Sequence, residues 1–78
     1  MDYMGHIETR AGVLGGKPVI KGTRISVEML LRFLAAGWTV EQLLEEYPSI
    51  TKQDVQAIFA LAHELVTEER FIIESKVA

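Results

Sequence analysis

The chain has 78 residues, 49% of them apolar and 24% charged, with no cysteine and a formal net charge of −3. A chain this short forms one domain with one small core, marginal without oligomerisation, so a single domain and a homodimer are expected. The missing cysteine excludes a disulfide framework and a thiolate metal site and points to a reducing compartment, by default the cytoplasm. The longest apolar run, Ala57 to Ala62, is far short of a membrane span, and no basic segment followed by an apolar stretch opens the chain as in a signal peptide.

The charge is divided. Residues 1 to 38 carry five basic groups (Arg10, Lys17, Lys21, Arg24, Arg32) against three acidic ones, and residues 39 to 78 carry three against eight. Nucleic-acid affinity comes mainly from Lys and Arg near phosphates, so any DNA face must draw on the first half. The plainer alternative is a solvated surface with accidental clustering of charge.

In chain order, Ile7 to Thr9 is the first strand expected. The stretch Gly16-Lys17-Pro18-Val19-Ile20-Lys21-Gly22-Thr23-Arg24-Ile25-Ser26 reads as a hairpin feeding a helix. Val19-Ile20 is expected to pair with Arg24-Ile25 across a tight turn containing Gly22, the residue best able to take positive φ. Arg24 is then either functional or tied to a nearby acid such as Glu28.

Three helices follow, each announced by the same start signal. Ser26, Thr39 and Thr51 are good N-caps; Gln42 three residues after Thr39 completes a capping box, and Asp54 after Thr51 a close variant. The flanking pairs Ile25 with Leu30, Trp38 with Leu43 and Ile50 with Val55 are hydrophobic staples. The first helix is expected over 27 to 36, with Val27, Leu30, Leu31 and Leu34 as its buried face and Gly37 beyond its end. The second spans 40 to 46, stopped by Pro48. Its face Val40, Leu43, Leu44, Tyr47 opposes Glu41, Glu45 and Glu46. The third runs from Lys52 through at least Val66, and its segment from Ala57 to Ala62 is apolar on nearly every side. The fold expected is therefore mostly α: a β-arm (1–26), a three-helix, helix-turn-helix-like core (27–66) and a C-terminal helical extension or tail (67–78). Phe59 and Leu61 cannot both face one small core, so Phe59, Leu61 and Leu65 are the candidate dimer interface. In the tail, Phe71, Ile72 and Ile73 form an apolar patch suited to a protein partner.

In a helix-turn-helix, the second helix of the pair lies in the major groove with its N-terminal residues near base edges. Lys52, Gln53 and Gln56 then face DNA, Thr51 offers a phosphate contact, and Lys17, Lys21 and Arg24 of the arm supply basic charge. The plain alternative is a set of solvated side chains at an exposed helix start.

Enzymatic chemistry finds little support. The run from Ala11 to Pro18 approximates a P-loop, but Ala11 stands where Gly is needed and Pro18 where Ser or Thr would hold Mg²⁺. His6 and His63 are too few for a metal or catalytic pair, with His63 expected at a helix or subunit boundary. Glu45 and Glu46, adjacent on a helix, diverge by about 100°. No cofactor and no metal are implied.

The elements Gly16-Lys17-Pro18-x-Ile20-x-Gly22-Thr23-Arg24-Ile25-x-Val27, Leu34-Ala35-x-Gly37, Glu41-x-Leu43-Leu44 and Tyr47-Pro48-x-Ile50-Thr51-x-x-Asp54-Val55 together resemble domain-of-unknown-function family 433, over roughly Ile7 to Ala62. The resemblance implies the helix-turn-helix class. For some members it implies an antitoxin of the VapB type paired with a PIN-like ribonuclease toxin. Operator binding with toxin neutralisation is one expected function; a small dimeric scaffold that binds a protein and never touches DNA is the other.

Overall fold

A computed structural model describes residues 3–67. Its first elements are two short strands, β1 (Ile7–Glu8) and β2 (Val19–Ile20), paired antiparallel with Ile7 opposite Ile20 and Glu8 opposite Val19. The pairing expected with Arg24-Ile25 is kept only in part, as the bond from Ile20 N–H to Ile25 O, and the partner strand of β2 is β1. On its other edge β2 makes a single bridge, Val19 to Ser26. The reason is local. Ser26 is already the N-cap of the next helix, so the returning segment has no length left to run as a strand.

The turn between them is tightly specified. Thr23 N–H donates to the Ile20 carbonyl at 3.0 Å, and Gly22 takes φ 80°, the positive value that a type II turn demands at that position. The Thr23 hydroxyl donates to the same carbonyl at 2.8 Å and accepts from Ile25 N–H at 3.0 Å. Ile20 N–H donates to Ile25 O, and Val27 N–H, which a helix start leaves without an intrahelical partner, donates to Pro18 O.

Three helices follow the arm: α1 (Val27–Ala35), α2 (Val40–Glu46) and α3 (Lys52–Thr67). The capping residues act as expected. Ser26 Oγ accepts from Met29 N–H at 2.9 Å, Thr39 and Gln42 form a reciprocal capping box, and so do Thr51 and Asp54. At the end of α1, Gly37 has φ 105°, and α2 stops one residue short of Tyr47, which Pro48 keeps out of the helical region.

The core is built from the staples and helix faces. Ile20, Val27, Leu30, Leu43, Ile50, Val55 and Ile58 form one buried cluster, with Ile25, Leu34, Trp38, Val40, Leu44 and Tyr47 packed against it. Phe33 of α1 stacks on Trp38 at 4.5 Å and faces Tyr47 at 6.3 Å, so aromatic rings fix how α2 sits on α1. Leu31, expected on the buried face, is exposed instead. Its neighbour Leu30 already fills the core, and among the described residues no second layer lies outside α1 to cover the adjacent position.

The two ends of α3 differ. Its first two turns bury Asp54, Val55, Ala57 and Ile58 against α2 and β1, whereas Leu65 and Val66 in its last turns lie exposed. The expected continuation beyond Thr67, and with it Phe71, Ile72 and Ile73, lies outside the described residues. Among those described, no helix is long and apolar enough to cross a membrane.

Candidate nucleic-acid interface and the basic arm

The start of α3 is held by a latch between sequence-distant residues. Asp54 Oδ2 accepts from Thr51 N–H at 2.9 Å, and its Oδ1 lies 2.8 Å from Nδ1 of His6, 48 positions earlier in the chain. One carboxylate therefore caps α3 and fastens it to the arm. Buried acids persist only when paired in this way.

With Asp54 turned inward, the other residues of the first turns face out. Lys52, Gln53 and Gln56 are all exposed, and none makes a side-chain hydrogen bond or ion pair among the described residues. The Thr51 hydroxyl accepts from Asp54 N–H at 3.1 Å, which leaves its own proton free to donate. The turn into α3 is anchored by buried Ile50, whose N–H donates to Tyr47 O. Glu41 of α2 sits across a depression of about 310 Å³ that Lys52, Gln56 and Phe59 also line. That carboxylate weakens the attraction of Lys52 for a phosphate on this side.

The arm presents its basic residues differently. Glu8 accepts from Gly22 N–H at 3.0 Å and pairs with Arg10, whose other nitrogen donates to the Thr23 carbonyl at 2.8 Å. These two side chains clamp the turn. The Gly22 N–H, followed by the nearby charges of Arg10 and Lys21, holds the Glu8 carboxyl below the usual range against the opposing effect of desolvation. Lys21 therefore stands beside a carboxylate. Lys17 and Arg24 are exposed and have no partner among the described residues. The alternative for Arg24, a tie to Glu28, is absent among the described residues, where Glu28 reaches Arg32, four residues along the same helix, at 3.7 Å.

The candidate dimer residues separate. Phe59 is 48% exposed and Leu65 47%, whereas Leu61 is half-buried. Phe59, with Gln56, Ala60, His63 and Glu64, lines a groove of about 560 Å³ along the outer face of α3. His63 is therefore on the surface of this chain and not between its helices. His6, Glu8, Arg10 and Asp54 were missed as a group in the sequence, since each makes its contact across the fold.

A β-arm packed on a three-helix bundle, with a helix-turn-helix-like pair at its end, defines the class. Residues 7–62 match the family described as "Protein of unknown function (DUF433)", and the chain belongs to that family. It is similar to an uncharacterised protein of Sinorhizobium fredii, y4eO, at 40% identity over 55 residues, which is 68% of this chain and 25% of that protein. It also resembles the crystal structure of a DUF433 member from Anabaena variabilis, with a TM-score of 0.71 and 33% identity over 74% of this chain and 57% of that one. The chain thus spans a quarter of the first relative and under two thirds of the second.

Proposed function

We propose that this chain is a dimeric DNA-binding regulator of the antitoxin type, with the first turns of α3 as its reading surface. The observation that carries the reading is the α2–turn–α3 unit. Asp54 and Ile50 lock the helix start, and Lys52, Gln53 and Gln56 are left exposed and unengaged on it. Glutamine offers paired donor and acceptor groups to adenine, and Lys52 offers a charge to phosphate. The pairing with a PIN-like ribonuclease toxin rests on the family resemblance, with Phe71, Ile72 and Ile73 as the segment assigned to it.

The test is fluorescence anisotropy with labelled duplexes from the DNA upstream of the chain's own reading frame, against shuffled duplexes of equal length, at several salt concentrations. A specific complex whose affinity falls with salt supports the reading. Equal binding to both sets removes the sequence-reading role of α3, and no binding at low salt favours the scaffold reading. That reading has its own observation in the exposed apolar residues Phe59, Leu65 and Val66.

A further inference from the structure

Leu14 stands out on the arm. It takes φ 50°, in the left-handed region, in a segment where Gly12, Gly15 and Gly16 also have positive φ. A bulky residue is strained there, and the strain persists only where the surroundings or the function require it. The fold itself gains little from this leucine, since the side chain is 47% exposed and belongs to no part of the core cluster.

Leu14 borders a depression of about 310 Å³ on the arm and the N-terminal half of α1. Met29 supplies a second apolar wall, and the charged groups around it are Lys17, Arg24 and Arg32 against the single carboxylate of Glu28. Lys17 and Arg24 have no partners among the described residues, and the Arg32–Glu28 contact is long and exposed. Three cations to one acid leave the hollow positive in a chain whose net charge is −3.

We infer that this depression is a docking site for an acidic peptide segment of a partner protein, with an apolar side chain of the segment packed against Leu14 and Met29. Arginine and lysine pair with carboxylates, arginine in a two-pronged geometry that also fixes direction. A displayed leucine gains nothing from a sugar-phosphate backbone but does gain from an apolar partner. The position agrees. Val19 pairs with Glu8 on one edge of β2 and with Ser26 on the other, so the depression opens on the edge away from β1. The first turn of α3 is tied to the β1 side through His6 and Asp54. The depression and the first turn of α3 share no lining residue, so each can be tested without the other.

The experiment is an NMR titration of the ¹⁵N-labelled full chain with a capped peptide of alternating glutamate and leucine. Inorganic phosphate and a short DNA duplex serve as the comparison probes. The peptide should shift the amides of Leu14, Lys17, Arg24 and Arg32 at concentrations on the order of millimolar, and Arg24→Ala should weaken it by about tenfold, as loss of a central anchor does. Leu14→Asn, a residue that tolerates the left-handed region, should leave the chain folded and weaken the peptide equally. The proposal is overturned if the peptide shifts other residues or none, if Leu14→Asn binds as well as the unaltered chain, or if phosphate or the duplex shifts these amides where the peptide does not.

Discussion

Replacing Asp54 by alanine removes two interactions with one side chain. Asp54 is 9% exposed; Oδ2 accepts from Thr51 N–H at 2.9 Å and Oδ1 lies 2.8 Å from His6 Nδ1. The reciprocal bond from Asp54 N–H to the Thr51 hydroxyl survives, because it uses backbone. Loss of half a capping box costs about 0.5–1 kcal/mol. A hydrogen bond to a charged group contributes about 1.5–3 kcal/mol, so the sum is about 2–4 kcal/mol. In a domain of this size each kcal/mol moves the melting temperature by about 4–8 °C, so Asp54→Ala should lower it by roughly 8–32 °C. Thermal unfolding followed by far-UV circular dichroism reads this directly. His6→Ala should cost only the latch, and the double variant should fall short of the sum of the singles by about 1.5–3 kcal/mol, since both remove the same contact. An Asp54→Ala variant within about 0.5 kcal/mol of the unaltered chain, or a strictly additive cycle, would mean that Asp54 neither caps α3 nor fastens it to the arm.

Two further outcomes concern the arm and the outer face of α3. Because the folded Glu8 carboxyl titrates below its unfolded value of 4.5, its contribution to stability is complete above that pH and is lost as pH falls through the lower folded value. Glu8→Gln should therefore flatten the acid limb of stability against pH, and denaturant midpoints that run parallel for the two proteins would contradict this. If Phe59 anchors a dimer, Phe59→Asp should yield monomer in sedimentation equilibrium, because a large apolar anchor contributes about 2 kcal/mol or more to a small interface. A compact monomer of the unaltered chain at micromolar concentration removes that interface.

Much of the bundle was legible because helix starts are written locally. Ser26, Thr39 and Thr51 each cap through bonds that span three residues, and the staples around them lie within five, so the sequence holds the whole signal. The arm was harder. Strands of two residues have no alternation to read, and the pairing of Ile7 with Ile20 is decided by packing, which gave β2 a strand partner besides the expected Arg24-Ile25 segment. The latch between His6 and Asp54 and the clamp of Glu8 and Arg10 on the turn were illegible for a related reason, since nothing near His6 or Glu8 in the chain names its partner. Leu31 shows the limit of periodicity, which gives a helix its apolar stripe but not the width of what covers it. In the candidate site, exposure of Lys52, Gln53 and Gln56 followed from the cap alone, whereas the strain at Leu14 has no mark in the residue type.

Whether the first turns of α3 read DNA is measured by comparing Lys52→Ala with Gln53→Ala on matched and mismatched duplexes over a range of salt. Lys52→Ala should weaken all sequences alike and flatten the salt slope by about one unit, as loss of one phosphate contact does. Gln53→Ala should keep the slope and lose about 1–3 kcal/mol of discrimination at one base pair. If both variants bind every duplex as the unaltered chain does, or if that chain forms no complex at low salt, α3 is not a DNA-reading helix.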